Sequence, residues 1–141
     1  MSIQITTTQN LIVVDQQPIR GPDGQPLAVA KYVHQNITTN SSGTLSIDVS
    51  TASSFLVNLN HNVTQIDVTG WPDPSYSQFV SVYFKQGGSF SVMGWDSNFR
   101  WGDAIPPSFA DLFQDQIGHV MLNSFDQGNT VFSVIIADSY S

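Results

Sequence analysis

The amino-acid sequence predicts an all-β protein: an antiparallel β-sandwich or jelly-roll-like domain with an N-terminal extended arm or hairpin. Three observations predict it. All eleven acids are aspartate and none is glutamate, and Asp, Asn, Ser, Thr and Gly favour turns and strand edges over helix surfaces. Apolar residues after Gly43 recur with a period of two, the spacing of a strand with one face buried. Short apolar runs are separated at close intervals by turn residues, as in sandwiches and barrels.

A chain of 141 residues forms one domain with a sizeable core. Residues 1–40 read as an arm. Ile3 to Val14 and Leu27 to Ile37 are strand candidates joined by a proline-punctuated loop from Pro18 to Pro26. A stiffened loop loses little entropy on docking, so Ile3, Ile5, Leu11, Ile12, Val13 and Val14 are assigned to attachment. Residues 41–141 read as the body. Leu45, Ile47 and Val49 alternate with Thr44, Ser46 and Asp48, and Phe55, Val57 and Leu59 mark a second strand.

Asn60-His61-Asn62 is a turn into a strand from Val63 to Thr69, and Gly70-Trp71-Pro72-Asp73-Pro74 breaks the pattern. Gln78 to Gln86 is apolar on both faces, which suits a strand covered on both sides. Gly87-Gly88 predicts a tight hairpin, with Phe90 to Trp95 as the return strand. Pro107 to Gln116 predicts a single helical turn capped by Ser108, with Phe109, Leu112 and Phe113 on one side. Ile117 to Asn123 and Thr130 to Ala137 form a second hairpin around Asp126-Gln127-Gly128-Asn129.

Composition argues against several functions. A formal net charge of -7 with only four Lys and Arg residues disfavours binding to nucleic acid. With no cysteine there are no disulfides, thiolate metal sites or thiol nucleophiles. No apolar run approaches the length of a membrane span, so no membrane insertion is expected. His34, His61 and His119 have no ligand spacing, and the Asp96, Asn98 and Asp103 loop lacks the glycine and terminal bidentate acid of a calcium loop. No Gly-x-Ser-x-Gly elbow is present. The expectation is no enzyme, no cofactor and no metal, with His61 in a turn and His119 on a strand, satisfied by a neighbour. Trp71, Trp95, Trp101, Tyr76, Phe99 and Phe109 belong to core or subunit interface, or else line a carbohydrate site.

The order of several short pieces resembles a known module. These are Gly43-Thr44-Leu45-Ser46-Ile47-Asp48-Val49, Phe55 to Thr64, Val82-Tyr83-Phe84-Lys85-Gln86, Val92-Met93-Gly94-Trp95 and Trp101-Gly102-Asp103-Ala104-Ile105-Pro106-Pro107-Ser108. Together they resemble a terminal β-sandwich module of bacteriophage virion proteins, of the tail-fibre or decoration type. The resemblance spans residues 43–137. The family often has Gly where His61 stands, one proline where Pro106-Pro107 stand and Asp where His119 stands.

The resemblance implies a non-enzymatic virion structural protein and a homotrimer. Neither heptads nor repeats of a fibre shaft are seen in the sequence. A capsid decoration (cement) protein that stabilises the particle by contact with the major capsid protein is therefore expected, at the capsid surface. The alternative is a short tail or head fibre that binds a host receptor or surface glycan. Trp95, Phe99, Trp101, Ile105 and Phe109 are assigned to the core or subunit interface.

Overall fold

The computed structural model describes residues 33–102 and 104–140, apart from the side chain of Asp138. The attachment residues Ile3, Ile5, Leu11, Ile12, Val13 and Val14, and Asp103, lie outside the described residues. The strands are β1 (His34–Thr38), β2 (Gly43–Asp48), β3 (Ser54–Leu59), β4 (Val63–Thr69), β5 (Gln78–Gln86), β6 (Phe99–Arg100), β7 (Ile117–Ser124) and β8 (Val131–Tyr140). No helix occurs among the described residues, which are all-β. β1 falls inside the segment assigned to the arm, yet it pairs with β3 in the large sheet.

Strands alternate between two sheets. β1, β3 and β5 enter a six-stranded sheet of order β1-β3-β5-β7-β8-β6, while β2 and β4 form a two-stranded sheet. The antiparallel expectation is corrected here: among the described strands β1–β3, β3–β5, β2–β4 and β6–β8 are parallel, and only β5–β7 and β7–β8 are antiparallel. The cause is the path of the chain. Each strand of the first half crosses to the other sheet and returns one turn later, so neighbours in a sheet run the same way.

His34 lies beside Ser54, 20 residues on. Gly43 lies beside Val63 at the same spacing. The chain thus winds as a coil, a repeat that residue identities do not reveal. Its corners stack on one another. Thr39, buried at the first corner, accepts through Oγ1 from Asn60 N–H at 2.8 Å and His61 N–H at 3.0 Å. His61 Nδ1 bonds to Thr39 O at 3.1 Å, which requires the Nδ1–H tautomer. One turn further, Ser91 N–H donates to Asn62 Oδ1 at 3.0 Å. These bonds satisfy backbone groups that bends would otherwise leave open.

The inward residues fill one apolar cluster shared by both sheets. Ile47, Val49, Ile66 and Val68 of the small sheet meet Phe55, Val57, Leu59, Val80, Val82, Phe84, Val120 and Leu122 of the large one. The hairpin expected at Gly87-Gly88 does not form. The chain leaves β5 and joins the small sheet, where Val92 and Trp95 bridge in parallel to Val63 and Ile66. Gly87 is needed for close approach: a Cβ there would run into Leu59 O and Asn60 Oδ1.

The second expected hairpin does form. β7 and β8 pair antiparallel around a turn in which Asp126 Oδ1 accepts from Thr130 N–H at 2.8 Å and Ser124 Oγ accepts from Gly128 N–H at 2.9 Å. The expected helical turn at Pro107 to Gln116 is absent, because Phe109 (φ 59°) and Asp115 (φ 70°) adopt left-handed backbone that ends any helix.

Candidate functional site

The segment from Gly94 to Phe109 is built on the last turn of the coil. Ile66 N–H donates to Gly94 O at 3.0 Å and Asp96 N–H donates to Ile66 O at 3.1 Å, fixing Trp95 on the edge of the small sheet. From there the aromatics stack in sequence. Trp95 meets Phe84 edge-on at 5.9 Å, Phe99 at 5.2 Å and Trp101 at 4.8 Å between ring centroids. Phe84 in turn stacks on Phe109 at 4.5 Å. Each such pair adds about 0.5–1.5 kcal/mol beyond burial.

Backbone carbonyls lock the block. Trp95 Nε1–H donates to Pro107 O at 3.0 Å, and Val92 N–H donates to Ser108 O at 2.8 Å. Gln86, wholly buried, ties the Phe109 end of the segment to the turn at Gly88 and Phe90. Its Nε2 donates to Phe90 O at 2.8 Å and Phe109 O at 3.0 Å, while its Oε1 accepts from Phe90 N–H at 3.0 Å and Gly88 N–H at 3.3 Å. One side chain therefore holds Phe109 in its left-handed conformation.

Of the residues assigned to core or interface, Phe99 and Phe109 are buried and Trp95 and Trp101 pack against the core. Ile105 does not join them. It is 84% exposed, because Ala104 N–H closes a turn onto Trp101 O and the two prolines that follow carry the chain along the surface. The aromatics considered as a carbohydrate platform are dispersed as well. Trp71 packs on Gly128 of the β7–β8 turn, away from Trp95, and Tyr76 is exposed. Trp71 Nε1, Trp101 Nε1 and Asn98 Oδ1 are buried without a hydrogen-bond partner among the described residues.

The histidines do not converge. His34 Nδ1 contacts Ser54 Oγ at 3.0 Å, His61 braces the coil corner, and His119 lies on the outer face of β7. The expectation that a neighbour satisfies His119 is corrected: neither ring nitrogen has a hydrogen-bond partner among the described residues, and the ring instead stacks on Tyr83. Burial pushes its pKa down from the ordinary 6.5. Asp126 is held below the usual carboxylate value, chiefly by the Thr130 N–H bond. Among the described residues, no group of three His, Cys, Asp or Glu side chains is arranged to hold a metal ion.

A second surface escaped the sequence reading. The outer face of β5, β7 and β8 exposes Phe79, Phe132, Val134, Ile136 and Tyr140, while the alternate residues Val131 and Ser133 are buried. β8 is thus apolar on both faces, as β5 is. The run Val131-Phe132-Ser133-Val134-Ile135-Ile136 carried that signal, since a half-buried strand would alternate with polar residues. No family model, curated protein or solved structure matches this chain.

Proposed function

We propose that this chain is a non-enzymatic bacteriophage virion structural protein: a homotrimeric capsid decoration protein that stabilises the particle by contact with the major capsid protein. The observation that carries the reading is how the motif aromatics are used. Trp95, Phe99, Trp101, Phe84 and Phe109 pack on one another, and the Trp95 indole N–H is spent on Pro107 O. A sugar-binding platform presents ring faces and free donors to solvent, whereas a structural module consumes them internally. Two sheets sharing one apolar cluster suit a sandwich-like body of this kind, with the coil as its first half.

The test is the copy number of this chain in purified particles, relative to the major capsid protein. Numbers comparable to the capsid protein support decoration. A few copies, as many as one tail holds, support the short tail or head fibre instead, and absence from particles overturns both.

A further inference from the structure

The outer face of the six-stranded sheet changes character from one edge to the other. Towards β1 it carries His34, Asn36, Ser54 and Asn58; towards β8 it carries Phe79, Met121, Phe132 and Val134. Phe79, Asn123 and Phe132 form one cross-strand row, and Ser81, Met121 and Val134 form the next. From Phe79 to Tyr83, His119 to Asn123 and Phe132 to Ala137 there is no Asp, Lys or Arg. Among the described residues β6 flanks β8 only at Val131 and Phe132, and there a groove between Trp101 and Val134, with Arg100 in its wall, continues the surface around the edge.

We propose that this face is where copies of the chain meet, with Phe132, Val134 and Ile136 of one copy packed against the same strand of its neighbours around a symmetry axis. The proposal deepens the self-assembly part of the reading above and holds whether or not the assembly sits on a virion. Two quantities single out a second copy as the occupant. Phe79, Phe125, Phe132, Val134, Ile136 and Tyr140 are each 44–64% exposed. At ordinary side-chain sizes that is roughly 600 Å², at the top of the range for a monomer's largest patch and near the ~800 Å² that a standard interface takes from each partner.

Charge gives the second argument. Each copy carries a net charge of -7, so copies repel one another unless their contact is confined to uncharged surface. Around Phe79, Met121, Phe132 and Val134 this face is such a surface, and the charge on its Tyr140 row, Lys85, is a cation. Three-fold or two-fold symmetry brings identical residues together near the axis, which Val and Ile tolerate and like charges do not.

The full-length chain provides the test. Wild type should sediment at about three times 15.4 kDa, and Val134→Asp should reduce it to a single copy. Asn58→Asp, at the polar end of the same face, should leave the mass unchanged. Single cysteines in this cysteine-free chain give a second measurement should Val134→Asp fail to fold. Val134→Cys should cross-link between copies on mild oxidation, and Asn36→Cys should not.

A wild-type chain that sediments as one copy overturns the proposal, and the labelling rate of Val134→Cys then identifies the other occupant. Slow labelling means that the chain's own N-terminal residues cover the face; fast labelling means that the face is left for a different protein. An oligomer that withstands Val134→Asp and does not cross-link at residue 134 also overturns it, by moving the contact elsewhere. Particle copy number is read separately, so an oligomer absent from particles sinks the virion reading alone.

Discussion

The imidazole of His119 lies flat on the ring of Tyr83, with 4.1 Å between centroids and 16° between planes. Tyr140 closes the other side at 6.4 Å. The stack covers a ring whose nitrogens have no hydrogen-bond partner among the described residues, so a proton there is poorly solvated.

Stability should therefore fall on acidification. Above the ordinary His value of 6.5, His119 is neutral in both folded and unfolded chains. As pH drops through that value the unfolded chain takes up a proton that the folded chain, with its lowered pKa, does not yet bind, and linkage favours unfolding. Urea midpoints measured at neutral pH and near pH 5 should differ for wild type, and by less for His119→Phe. Equal shifts in the two proteins would assign the pH effect to other groups.

Gln86 should be among the costliest positions to change. Gln86→Leu leaves the N–H groups of Gly88 and Phe90 and the carbonyls of Phe90 and Phe109 without their buried partner. Each unsatisfied group costs about 1–3 kcal/mol, and relaxation recovers part of the sum. Denaturant unfolding should report a loss of about 3 kcal/mol or more. A loss below 1 kcal/mol, on the order of a surface change, would mean that the clamp is dispensable.

Trp101 and Ile105 lie four positions apart and should respond differently. Trp101→Ala removes a ring packed on Trp95 and Phe99 and should cost about 3 kcal/mol, the low end for a large aromatic because Trp101 is only partly buried. Ile105→Ala, at an exposed site, should change stability by no more than about 0.5 kcal/mol. Thermal unfolding of the two variants under conditions that keep the assembly state fixed compares them directly.

Strand positions were legible because burial of one face imposes a period of two, as at Leu45, Ile47 and Val49. Strand partners were not. A period of two says which face is buried but not which strand lies alongside, so Phe55 gave no hint that Gln35 and Val82 would flank it in parallel. Gly87 misled for a related reason. Glycine serves positive φ and close backbone contact equally, and only the fold reveals that Leu59 O is its neighbour.

The site was legible in part. Aromatic residue types announced a packed block at Trp95, Phe99 and Trp101, but local sequence does not encode that the turn at Ala104 carries Ile105 out to solvent. The outer face of β8 was missed because apolar residues on both sides of a strand look the same whether the second layer comes from this chain or from another.

The register of β8 is interrupted where Val120 faces Ile135 but His119 faces Ala137, leaving Ile136 as an extra residue. Such a bulge twists the strand and puts its outward backbone groups out of phase with a straight neighbour. Past Phe132 no strand pairs with that side of β8 among the described residues, so the edge is a template on which further chains would otherwise add without limit. The extra residue interrupts that ladder. Attachment through side chains stays available while fibre growth through the backbone is discouraged, which biases this surface towards closed assemblies of defined size.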